Sequence, residues 1–286
     1  MKSNNPVFAR SEEFNRASSN SYGNQTYAAG GSSYPGYGDA GTDPSTWGTG
    51  TPGTPGQVDQ GRMTVDSVVQ KTAISVALVF VAAFATWWWI GDVSSNADLG
   101  QVYLLSMLGA GGAFLLSLVN SFKQIISPAL VMAFALAEGV ALGAISALFE
   151  AQYPGIVMSA VLGTFAAFIG TLAAYKFLDI KVGDKFRRGV IAGMFGMVGL
   201  GLLSLVLSFF GIQSPLYGSG PIGFLFALAG LVLGVFMLIL DFDFVENGVA
   251  AGLPERESWR AAFGLTVSLV WIYTNLLRIL AILQQD

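Results

Sequence analysis

The sequence predicts an all-α integral membrane protein: a seven-transmembrane-helix bundle behind a disordered N-terminal tail. Three observations carry that expectation. The 286 residues are 53% hydrophobic and only 11% charged, more apolar surface than a soluble domain can hide, because a folded chain must still meet water over much of its surface. From residue 71 onward, long apolar runs alternate with short polar breaks. Ahead of them, residues 1–62 are rich in Gly, Ser, Tyr, Pro, Asn and Thr, a composition that buries too little to offset the entropy of ordering it.

Seven apolar runs are expected as helices, at about 72–90, 101–121, 126–149, 155–177, 189–211, 221–242 and 260–283. Each has roughly the twenty residues that cross a hydrocarbon core of about 30 Å. Helices are the expected form because backbone groups in lipid must bond within their own segment. The alternating ten-residue strands of a β-barrel are not seen. The tail has no apolar run after its first Lys and Arg, so it does not read as a signal peptide. Its Tyr and Gly content makes it a candidate contact for a membrane-protein partner.

Basic residues set the expected orientation. With the tail inside, 13 of the 14 Lys and Arg residues fall on the cytoplasmic side, and Arg278 alone falls toward the outside. The positive-inside rule then predicts a cytoplasmic N-terminus and an external C-terminus, for a multi-pass protein expected in the plasma (cell inner) membrane. Trp87, Trp88 and Trp89 fall at the outer interface, where amphipathic rings are favoured.

Composition also excludes chemistry. The chain has no Cys and no His, which removes disulfides, thiolates, Ser-His proteolysis, HExxH metalloproteolysis and His-ligated metals. A net charge of −4 argues against a nucleic-acid partner. No Lys lies in the seventh run to form a retinal Schiff base. No cofactor is expected, and neither is an enzyme.

Small residues repeat at helical spacing. Ala135, Gly139, Gly143 and Ala147 line one face of the third run, and Gly189, Gly193, Gly196, Gly199 and Gly201 mark the fifth. Both are expected to be packing faces, since small residues let helix backbones approach in lipid. The sixth run carries Gly223, Ala227, Gly230 and Gly234, and its small-residue face leads to Asp241. Asp243 is two residues on, about 200° around the helix, and is expected in or near cytoplasmic water. In the seventh run Gly264, Ser268, Trp271, Asn275 and Arg278 share a face. Ser268 and Asn275 can hydrogen-bond across a helix interface, and Arg278 can snorkel to the surface. Glu138 falls near mid-depth of the third run, where an acid must be paired, hydrated or protonated.

The block LILDFDFVENGVAAGLPERESWRAAFGLTVSLVWIYTNLLRILAIL, with SPALVMAFALAEGVALGAIS and the opening NNPVFAR, resembles the Bax inhibitor-1/YccA family, especially its actinobacterial-type members. The resemblance spans roughly residues 65–286. It implies a seven-helix bundle with a cytoplasmic N-terminus. Some members are described as pH-sensitive calcium leak channels, gated by an aspartate on helix six that shares protons with another on helix seven. Asp241 matches the first of these. The second falls at about Ser268, and no carboxylate lies between Glu257 and Asp286, so the two-aspartate sensor does not carry over. Because Asp241 has no Asp partner on a neighbouring span, aspartyl intramembrane proteolysis is disfavoured too.

The expected function is a pH-linked leak of calcium or another cation, with Asp241, Glu138, Ser268 and Asn275 as the gate. Asp243 and Arg278 are secondary candidates. Calcium, a hard cation that prefers several oxygens, would meet Asp241 and Glu138 if they converge. The alternative is a non-transporting regulator that binds other membrane proteins, such as a protease or a stress-response complex.

Overall fold

A computed structural model describes residues 61–91, 93, 96–212 and 214–285. The tail expected to be disordered lies almost wholly outside these residues. Seven long helices carry the described chain: α1 (Val65–Ile90), α2 (Asn96–Phe122), α3 (Pro128–Gln152), α4 (Ile156–Phe177), α5 (Asp184–Phe209), α6 (Pro221–Ala250) and α7 (Glu257–Leu283). A single 3₁₀ turn at Pro215–Tyr217 precedes α6. All seven are long and apolar enough to cross a membrane.

Local chemistry sets several ends. Thr64 caps α1 by accepting from Ser67 N–H, while the Ser67 hydroxyl accepts from Thr64 N–H, a reciprocal box that satisfies two orphan donors. Pro128 and Pro221 open α3 and α6, where a missing N–H costs nothing. Glu150 leaves the last turn of α3 to accept from Gly155 and Val157 N–H at 2.6 and 3.1 Å. A carboxylate thus caps the start of α4 and holds the α3–α4 link short.

α3 is the centre of one half of the bundle. Its expected small-residue face is buried at Ala135, Gly139, Gly143 and Ala147. A methyl group on Gly139 or Gly143 would run into the α1 backbone at Val79 or Ala83. Gly109 of α2 is pressed against Ala141 on another side. The other half is built on α6 and α7, with α4 beside them and α5 touching mainly α6. There Gly223, Ala227, Gly230 and Gly234 are all buried, as the stripe predicts.

The glycine-rich face of α5 behaves differently. A side chain at Gly189, Gly196 or Gly199 would meet nothing within 4 Å; Gly193 meets Leu233 and Gly201 meets Tyr217. α5 is peripheral, so most of its glycines have no helix to approach, and the expected packing face is reduced to two positions.

Successive helices run up and down. One end of the bundle therefore collects every described Lys and Arg except Arg278; it is called the basic end below. α6 runs two turns beyond the expected stop at residue 242, to Ala250. The acids of LILDFDFV consequently lie inside a helix and not at its end.

At the basic end, Gly61–Thr64 forms a short strap across the α6–α7 loop. Arg62 bridges antiparallel to Pro254, Met63 N–H donates to Leu253 at 2.7 Å, and Glu255 N–H donates to Gly61 at 3.1 Å. Met63, 2% exposed, packs in one core cluster with Val68, Leu238, Phe242, Ala261, Leu265 and Ile272. Lys71 is buried and pairs with Glu255 at 2.9 Å.

Candidate functional site

The α6–α7 seam is read from its opposite end toward the basic end. At Gly230 the missing side chain leaves room for the Asn275 carboxamide, and the Trp271 indole N–H donates to the Gly230 carbonyl at 2.8 Å. Gly234 lies against Ile272 and Trp271. Two turns on, Asp241 arrives at Gly264 and Ser268. The Ser268 hydroxyl donates to Asp241 Oδ2 at 2.5 Å. A Cβ on Gly264 would stand 2.7 Å from Asp241 Oδ1. One turn of α7 therefore supplies both a donor for the carboxylate and the space to hold it. Ser268 is fully buried, so the bond forms where water competes little.

The seventh-helix stripe is thus real, but its members do different things. Ser268 reaches Asp241. Asn275, 6% exposed, turns back to donate to its own helix at Trp271 O, at 2.8 Å. It lies seven residues beyond Ser268, about 10 Å along α7. The expected convergence of Asp241, Glu138, Ser268 and Asn275 as calcium ligands is therefore not assembled. Among the described residues no group of three or more acids could hold a metal.

Glu138 lies in the same slab of the bundle. Phe134 meets Phe263 at a ring distance of 5.0 Å, and the Ser146 and Tyr273 hydroxyls share a 2.7 Å bond. Those two contacts align α3 with α7 and bracket Glu138 on one helix and Gly264–Ser268 on the other. Glu138 follows Phe134 by four residues, on the face of α3 that meets α7. It is half-buried, and among the described residues no hydrogen bond or ion pair joins it to Asp241. Two cavities of about 440 and 490 Å³ lie elsewhere in the bundle, with neither Asp241 nor Glu138 on their walls.

Asp243 differs from expectation. It is 8% exposed and not in open water. Its Oδ2 accepts from Arg187 at 2.8 Å, and Asn247 donates to its carbonyl. The reason is the extra two turns of α6, which carry Asp243 past the first turn of α5, where Arg187 stands. Opposite directions for Asp241 and Asp243 are as the helix angle requires: one acid faces α7, the other α5. Nearby, Tyr175 of α4 donates to Glu246 at 2.7 Å.

Residue spacing did not reveal Arg187, Tyr175 or the Ser146–Tyr273 pair as partners. Their only sequence signal is a polar group near a span end or inside a span. Arg278, at the other end, donates to the Leu216 carbonyl at 2.8 Å and lies over the Tyr217 ring at 4.6 Å. It is held by the loop before α6 and does not snorkel freely.

No curated protein sequence matches this chain. A family model described as "Bax inhibitor 1 like" matches residues 5–285, nearly the full length. The match agrees with the seven apolar helices and with the resemblance in the α6–α7 block. The chain is a multi-pass membrane protein of the Bax inhibitor 1 like family.

Proposed function

We propose that this protein is a proton-linked leak pathway for calcium or another cation, non-enzymatic, with the Asp241–Ser268 contact as its latch. The observation that carries it is the hydrogen bond that joins α6 to α7 at the Asp241 carboxylate, at a point where Gly264 leaves no side chain in the way. The basic end is taken as cytoplasmic, following the positive-inside rule.

An ionised Asp241 accepts a charge-assisted bond from Ser268, roughly twice as strong as a neutral one. Protonation removes that advantage of about 1–1.5 kcal/mol, which is about tenfold in a closed-to-open ratio. Acid therefore loosens the seam, and leak rises as pH falls. Glu138, in the same slab and without a partner among the described residues, is the second proton site and faces the same helix.

Calcium-loaded liposomes containing the purified chain, assayed across pH, test this. Wild type should leak more at low pH. Asp241→Asn, which keeps a neutral bond at every pH, should leak near the acid level throughout, with only the shallow pH dependence that Glu138 supplies. Glu138→Gln should alter the steepness. Flux and pH profile unchanged in both variants would overturn the assignment of these sites.

One observation favours the regulator reading as a companion. The strap at Gly61–Thr64 ties the segment preceding α1 to the α6–α7 loop, so a partner held by residues 1–60 would act on the hairpin carrying Asp241. Pull-down with and without residues 1–60, beside the flux assay, separates the two. Tail-dependent capture with no flux in any variant would leave only the regulator.

A further inference from the structure

The end of the bundle opposite the basic end holds a feature the leak reading does not use. A cavity of about 490 Å³ lies among α2, the last turns of α3 and α7, and the loop before α6. Arg278 lines it and is the one charged residue on its wall among the described residues, which place no Asp or Glu there. The guanidinium has five N–H donors in a fixed fork. One N–H is given to Leu216 O, and the Tyr217 and Phe226 rings flank the group at 4.6 and 5.8 Å. Among the described residues no carboxylate forms an ion pair with it. The walls add hydroxyls from Tyr103, Ser106, Ser219 and Thr274 and amides from Gln152 and Gln285.

A half-buried cation held in place by a backbone carbonyl and two rings, without a counter-charge among the described residues, in a cavity edged by neutral donors, is built to receive an anion. Arginine fits the forked geometry of phosphate better than a lysine would. The depth agrees. Arg278 is five residues from the end of α7, about 8 Å along the axis. Trp88 and Trp89, both 77% exposed at that end of α1, mark the level of the membrane interface. Phosphate groups sit at that level.

We propose that Arg278 and the hydroxyl- and amide-lined cavity around it form a phosphate-binding site, taking either the phosphate of an anionic lipid headgroup or free phosphate. The site is independent of the Asp241 latch, because Arg278 lies ten residues beyond Ser268, about 15 Å along α7.

Full-length protein in nanodiscs of phosphatidylglycerol or of phosphatidylcholine, followed by native mass spectrometry of retained lipid, tests the lipid source. Inorganic phosphate titrated calorimetrically into protein in neutral detergent tests the free one. Wild type should retain phosphatidylglycerol over phosphatidylcholine, or bind inorganic phosphate. Arg278→Gln should weaken that binding about tenfold, the scale of a lost charge-assisted pair. Arg278→Lys should keep part of it. Lys181→Gln, which removes an equal charge from an exposed side chain at the basic end, should leave it unchanged. Ser106→Trp fills the cavity while keeping Arg278 and its Leu216 bond, so it decides the matter if Arg278→Gln fails to fold. No lipid preference together with no phosphate binding in wild type overturns the site. So does binding that survives Ser106→Trp or that Lys181→Gln removes equally.

Discussion

A single turn of α7 decides what Asp241 can do. Gly264 yields space and Ser268 yields a proton donor, so the carboxylate is held on the helix seam without a basic partner. Gly264→Ala should push a methyl against Asp241 Oδ1, break the register of the latch, raise the leak at neutral pH and lower stability by about 1–3 kcal/mol. Ser268→Ala should raise the leak and cost about 1–3 kcal/mol, because the buried carboxylate loses its donor, but without the shift in helix packing. Liposome flux and thermal unfolding in detergent check both. Asp243 should respond differently. Asp243→Asn removes a buried charge from beside Arg187, whose own side chain is 51% exposed. A cost of about 1–2 kcal/mol is expected, below that of a fully buried pair because Arg187 keeps access to water. It should leave the pH profile of the leak unchanged. Asp241 was legible as the end of a small-residue stripe. The Asp243–Arg187 pair was not, because nothing in the spacing says that α5 passes this turn of α6.

Helix contacts divide the glycines into two kinds. Those of α3 meet α1 backbone directly, whereas most of those in α5 meet nothing. Gly143→Leu should separate α1 from α3 and lower the thermal midpoint markedly, or prevent folding. Gly196→Leu and Gly199→Leu should be nearly silent. An equal loss in all three, measured by unfolding in the same detergent, would contradict the observed packing. The repeat of four in α3 and the glycine run in α5 look alike as sequence. They differ because a small residue only matters where a second helix arrives. The seventh-helix stripe shows the same limit: periodicity placed Ser268 and Asn275 on one face, but only Ser268 stands opposite Asp241.

Across the whole molecule, the two ends have distinct chemistry. The basic end carries the strap, the pair of buried Lys71 with half-exposed Glu255, and the Arg187–Asp243 pair. The other carries the tryptophans and the Arg278 cavity. Met63 connects the strap to the core cluster around Leu238, Phe242 and Leu265, next to the latch in sequence and space. Met63→Ser should cost about 2–4 kcal/mol by removing a buried side chain and exposing a polar one to an apolar site. It should also raise the leak. A stability loss with an unchanged leak would show that the strap is a clasp and does not act on the seam.

Apolar run lengths determined seven spanning helices, because backbone groups in lipid have no other partner and about twenty residues is the shortest crossing. Basic-residue placement determined that the two ends differ. Side-chain period determined that Asp241 and Asp243 face apart. Tertiary structure alone decided which face met which helix: that α6 continues to Ala250, that Asp241 meets Ser268 and not Asn275, that Asp243 has Arg187, and that Arg278 borders a cavity with no acid among the described residues. The division follows from range. A helix is specified by bonds four residues apart, whereas these pairings join residues 27, 56 and 62 positions apart, and depend on how far each helix runs before the chain turns.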